Sequence, residues 1–179
     1  MLRWNRIRFL GEALVVLALL AAANVFWTVP HLSPVVEGIT LRPFDMRLGR
    51  YDADDARMYL RALGPEGISF YRNVQLTLDL FLPAAIFTAA ALAARAFYAR
   101  PIRRAVICLA IAAAGADYLE NAALAHLLEM GPAELTSGIV DPASVLTRIK
   151  LVLYLLTALA LLPGALLSAG EAFDKWRQS

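Results

Sequence analysis

AGADYLENAALAH, residues 114–126, is the stretch on which the reading of the chain turns. Asp117, Glu120 and Asn121 follow one another at spacings of three and four, which on a helix is one face. Apolar sequence runs up to this stretch from residue 105, so two carboxylates and an amide are carried inside a segment fit for a bilayer. Ionisable groups at membrane depth are costly, and they face a bundle interior or a watery cavity. That face is therefore the first candidate for a site.

Three further stretches resemble the one that carries this face. A hydrocarbon core about 30 Å thick takes about 20 mostly apolar residues per helix. Residues 9–29, 74–94, 105–127 and 146–169 meet that requirement in a chain of 179 residues that is 60% hydrophobic. A soluble domain is typically about 45–50% apolar. The expectation is an all-α fold, a bundle of four transmembrane helices forming a single membrane domain over residues 1–179. Only the connection at 30–73 is long enough to hold extra structure. The first apolar run exceeds a signal-peptide core and ends in FWTVP, a poor cleavage site, so it reads as a retained helix.

Charge sets the orientation. Arg3, Arg6 and Arg8 precede the first helix; Arg95, Arg100, Arg103 and Arg104 crowd the second connection; Lys175 and Arg177 follow the last helix. Residues 128–147 contain neither Lys nor Arg. The positive-inside rule then puts both termini in the cytoplasm, although connection 30–73 also carries Arg42, Arg47, Arg50, Arg57, Arg61 and Arg72. Of the 17 basic residues only Lys150 and Lys175 are lysines, a bias that points to a GC-rich bacterial genome. A net charge of +2 gives no reason to expect a nucleic-acid partner. Cys108, alone in an apolar run, reads as a small buried hydrophobe.

Connection 30–73 has an irregular, proline-containing first half and then DADDARMYLRALGPEG. Asp52 is a suitable N-cap, with Asp54 and Asp55 in the first turn. Ala56, Tyr59, Leu60 and Leu63 form an apolar stripe, and Gly64-Pro65 is a stop signal. A short amphipathic helix is expected on the outer face, either at the lipid interface or capping the bundle, where it could cover a site.

Depths sharpen the site. At about 1.5 Å per residue, Asp79 lies roughly 8 Å below the outer boundary, Glu120 roughly 10 Å and Asp117 roughly 15 Å. Lys150 lies roughly 6 Å deep, Tyr154 roughly 12 Å and Asn24 roughly 8 Å. All fall in the outer half, while the inner halves are almost purely apolar apart from Glu12. One outward-opening polar pocket is expected, with Asp79, Asp117, Glu120, Asn121 and Lys150 as ligand-binding residues and Lys150 as counter-ion. Burial and like charge both disfavour ionising all three carboxylates, so the cluster suits proton transfer. The plainer readings are interhelical glue for Asp117, Asn121 and Asn24, an Asp79–Lys150 ion pair, and a Lys150 that snorkels outward. Tyr118 and Tyr154 read as packing residues with a satisfied hydroxyl. His31 and His126 read as interfacial, and no ligand spacing supports a metal site. The chain has no phosphate loop, zinc motif or nucleophile elbow, so no cofactor is expected.

The block GRYDADDARMYLRALGPEGISFYRNVQLTLDLFLP, the ADYLENA stretch and the basic turn together resemble a group of small uncharacterised bacterial four-helix integral membrane proteins. The resemblance covers most of the chain from about residue 41 onward. It implies four helices and an inner-membrane location, and it carries no catalytic residue. Three functions then stand open. The first is binding of a small polar ligand or lipid headgroup, with a transport-accessory role open to it; four helices are few for an autonomous transporter, so a homo-oligomer or a membrane partner protein would go with it. The second is an intramembrane enzyme acting on a lipid or prenyl substrate, with Asp117 or Glu120 as general base and Lys150 as electrostatic partner. The third is a scaffold or assembly subunit with a purely structural polar core.

Overall fold

A computed structural model describes the backbone of residues 2–177 and the side chains of residues 8–170 and Arg177. The side chains of Arg3, Arg6 and Lys175, read above as cytoplasmic charges, lie outside the described residues. The described fold is all-α apart from one small hairpin. Helix α1 (Leu2–Ala23) continues through a π-helical segment, Asn24–Thr28, into α2 (Val29–His31). Helices α3 (Ala53–Phe70) and α4 (Leu76–Phe97) are joined by a second π-helical segment, Tyr71–Gln75. Helix α5 is Arg100–Met130 and α6 is Ser137–Arg177.

Among the described residues, three stretches are long and apolar enough to cross a membrane: Arg8–His31, Ala53–Phe97 and Ser137–Gly170. Only 6%, 28% and 11% of their most apolar windows are buried within the protein. Phe9, Val16, Leu19, Phe81, Leu159 and Leu166 are all more than half exposed. A soluble monomer does not present so much contiguous apolar surface, and a bilayer is the solvent that matches it. Helix α5 is not among the three, and it is the helix that carries Asp117, Glu120 and Asn121.

Alanine explains how closely α4, α5 and α6 pack. Ala89, Ala90, Ala93 and Ala94 on α4 and Ala110, Ala113, Ala114 and Ala116 on α5 are all buried. Small side chains let helix backbones approach where lipid removes any hydrophobic drive for association.

Connection 30–73 is more ordered than its sequence suggests. Strands β1 (Val35–Val36) and β2 (Ile39–Thr40) pair antiparallel across a two-residue turn. Glu37 and Gly38 sit in that turn at φ 52° and 82°, the left-handed pair such a hairpin requires. Asp52 caps α3 as read, accepting from Asp54 N and Asp55 N at 2.9 Å, while the Asp55 side chain accepts from Asp52 N at 3.2 Å. Gly64-Pro65 breaks α3 at a single residue, Gly64 at φ 69°, and the helix resumes at once. Helical structure therefore begins well before residue 74 and continues unbroken into α4, because Pro65 suits the first turn of a helix.

Of the two positions open to the amphipathic helix, the structure shows the second: α3 caps the bundle. Ala56, Tyr59 and Leu60 are buried in one apolar cluster with Leu124, Leu127 and Leu128 of α5 and Val140 and Ala143 of α6. Polar links hold it there. The Tyr59 hydroxyl donates to Leu32 O at 2.7 Å, Tyr51 N to Ser144 Oγ at 3.1 Å, and Arg50 pairs with Asp141 at 2.9 Å. Cys108 departs from expectation. It is exposed on the outer face of α5, because the inward face at that level is taken by Val106 and Ala110.

Candidate functional site

Two polar stripes meet between α5 and α6. On α5 they are Asp117, Glu120 and Asn121; on α6 they are Thr147, Lys150 and Tyr154, also three and four apart. The helices run antiparallel, so ascending one stripe descends the other. The Tyr154 hydroxyl donates to Asp117 Oδ2 at 2.7 Å, Lys150 Nζ lies 3.4 Å from Asp117 Oδ1, and Lys150 also ion-pairs with Glu120 Oε2. Thr147 donates to the remaining Glu120 oxygen, Oε1, and lies 3.1 Å from Ala143 O. Lys150 is 7% exposed and turned inward, so it does not snorkel. Glu120 is fully buried.

Asp79 on α4 completes the cluster through different partners. Pro83 has no N–H to give, which frees the carbonyl of Asp79 four residues earlier. Asn121 Nδ2 fills that gap, donating to Asp79 O at 3.0 Å. The Asp79 carboxylate accepts from Gln75 Nε2 at 2.9 Å and from Asn24 Nδ2 at 3.5 Å. Among the described residues it forms no ion pair, so the Asp79–Lys150 pairing considered from sequence is not made. Both amides come from π-helical segments, Asn24 opening one and Gln75 closing the other. Such single-turn widenings redirect side chains and occur often at functional sites. The Tyr118 hydroxyl donates to Leu80 O at 2.9 Å, beside the same proline.

A layer from connection 30–73 lies over the cluster. Phe44, Tyr51, Tyr59 and Tyr71 are at most 1% exposed, and the Arg47 guanidinium sits 5.0–5.4 Å from the ring centres of Phe44, Tyr51 and Tyr59. The Tyr71 hydroxyl donates to Asp45 at 2.6 Å. Tyr51 reaches down beside Thr147 and Glu120 without a well-formed hydrogen bond, and burial pushes its hydroxyl above the usual tyrosine range.

The structure thus gathers all five sequence-derived residues, Asp79, Asp117, Glu120, Asn121 and Lys150, at 0–7% exposure under this layer. It adds Gln75, Thr147, Tyr154, Tyr51 and the glue residue Asn24. Thr147 and Tyr154 were legible in principle, since they share the helical face of Lys150. His31 and His126 are exposed and stay apart from the cluster; His31 stacks on Phe70 at 5.0 Å. Glu12 takes the pairing its neighbours offered, with Arg8 at 3.0 Å.

Among the described residues, three buried atoms at the cluster have neither a hydrogen-bond nor an ion-pair partner, Gln75 Oε1, Asn121 Oδ1 and the Tyr51 hydroxyl, while Glu120 Oε2 has its ion pair with Lys150 alone. Buried polar atoms are rarely left so, and three beside one carboxylate cluster mark a place where a donor would fit. No group of three Asp, Glu, His or Cys residues is positioned to hold a metal among the described residues. Fold and composition together define a helical protein suited to a membrane. Comparison with known proteins finds no matching family model, no matching curated protein and no matching solved structure.

Proposed function

We propose that the chain is a four-span bacterial inner-membrane protein, with both termini cytoplasmic, whose buried cluster binds a small polar ligand or a lipid headgroup. In this reading α5 is the fourth span, admitted to the bilayer because its polar face is turned onto α4 and α6. The ligand arrives from the outer side, beneath the loop and α3. The observation that supports it is the trio of unpartnered buried atoms, Gln75 Oε1, Asn121 Oδ1 and Tyr51 Oη. A purely structural core would be expected to satisfy its own acceptors.

Native mass spectrometry of protein released gently from its own membrane tests this. The wild type is expected to carry a small molecule or lipid in near-stoichiometric amount, and Gln75→Leu to carry much less while still folded. Equal retention in both, or none in either, overturns the reading. A structural polar core is the second reading, favoured by the Tyr154–Asp117–Lys150–Glu120–Thr147 chain, in which every charged group is paired. It predicts a bare wild-type protein.

A further inference from the structure

The charges in the cluster do not balance. Asp79, Asp117 and Glu120 face one ammonium, that of Lys150, which lies between Asp117 and Glu120. Asp79, 5% exposed, receives only neutral amides. Asp45 of the loop and Asp117 of α5 are close enough to add negative potential there, and Lys150 acts against them. A buried carboxylate without a counter-ion is costly, whereas one beside a cation is not.

The groups around Asp79 are side-chain amides, which carry oxygens besides the nitrogens they turn toward it. The amides of Gln75 and Asn121 are each anchored on Asp79, one to its carboxylate and one to its carbonyl. Each leaves its own carbonyl oxygen buried and unpartnered, on side chains 1% and 7% exposed. Asn24 presents a second amide to the carboxylate. The two ends of a side-chain amide exchange places by a half-turn, so a group that donates nitrogen to a carboxylate can offer oxygen to a cation bound beside it. Carboxylate and amide oxygens without sulfur or imidazole are the ligand set of hard cations.

From this we infer that the Asp79 centre binds a small monovalent cation, sodium being the natural probe, held by the Asp79 carboxylate and the amide oxygens of Gln75, Asn121 and Asn24. The inference rests on the cluster being a ligand site and specifies what it takes. A single carboxylate among neutral amides matches one positive charge better than two. Cover by Phe44, Tyr59 and Tyr71 favours a compact ion over a bulky cationic headgroup, which would have to displace the outer layer.

Thermal unfolding of the full chain in detergent tests this, with sodium titrated against choline at constant ionic strength. At mildly alkaline pH the wild type is expected to gain several degrees, saturably, and Asp79→Asn and Gln75→Leu to respond little or not at all. Should either variant fail to fold, equilibrium binding of radiolabelled sodium to wild type decides on its own. No saturable sodium effect and no bound sodium would overturn the inference. So would a wild type that gains stability on mild acidification in choline yet ignores sodium, because a proton then occupies the site. A co-purifying lipid in sodium-insensitive protein would leave the ligand-site reading standing and remove only the cation.

Discussion

Lys150 holds the α5–α6 contact by answering two carboxylates at once. Its removal leaves Asp117 and Glu120 buried without a counter-charge, for which about 3–5 kcal/mol of destabilisation is expected. Lys150→Met should therefore melt far below wild type in detergent, and adding Glu120→Gln should recover part of the loss. A single variant that melts like wild type would mean the ion pairs contribute nothing. Asn121 has a different task, satisfying the carbonyl that Pro83 frees, and Asn121→Leu should cost about 1–3 kcal/mol by leaving that acceptor bare. The same substitution in a Pro83→Ala background should cost less, because the helix then supplies its own donor. Asp117, Glu120 and Asn121 were legible because charge and amide at helical spacing stand out in an apolar run. Thr147 and Tyr154, though on the helical face of Lys150, stand out less, since hydroxyls are common in membrane helices and readily satisfied by a nearby carbonyl, as Thr157 is by Leu153 O at 2.8 Å.

Among the elements, α6 carries a second proline adaptation at its far end. The Tyr98 hydroxyl inserts into the helix at Pro163, accepting from Gly164 N at 2.9 Å and donating to Ala160 O at 2.7 Å, in place of the direct bond between those two groups. Gly164 is required by this approach, because a Cβ there would meet Phe97 Cβ at 2.6 Å and Tyr98 Cζ at 2.8 Å. Gly164→Ala is thus expected to destabilise by more than the helix propensity of alanine returns, and to loosen the α4–α6 contact. Crosslinking yield between cysteines placed on those helix ends reads this out; an unchanged yield and melting point would refute it. At the opposite end Asp52→Ala removes the capping box of α3, expected to cost about 1 kcal/mol and to speed proteolysis within residues 44–60. The existence of α3 and its cap was plain in DADDARMYL, whereas the hairpin was not. A strand of two residues has no period to detect, and Glu-Gly between Val-Val and Ile-Thr was its one signal.

For the molecule as a whole, length and apolar composition were enough for an all-α membrane fold, and depth arithmetic alone brought Asp79, Asp117, Glu120 and Lys150, from three helices, into one half of the bundle. What sequence did not convey is how that half is closed. The π-helical segments that aim Asn24 and Gln75 at Asp79 depend on packing between helices, and the cover of Phe44, Tyr51 and Tyr59 depends on where α3 docks. Neither leaves a local pattern. Orientation can be tested with single cysteines in a Cys108→Ala background. Positions in residues 30–73 and 131–136 should label with an impermeant reagent from outside, and those around residue 99 should not. The opposite pattern would invert the proposed topology. The most direct test of the central claim is an experimental structure in native lipid, resolved well enough to show non-protein density at the cluster. Density is expected in contact with Gln75 Oε1 and Asn121 Oδ1 beside Asp79. A cluster in which those oxygens are satisfied by protein or water alone would contradict it.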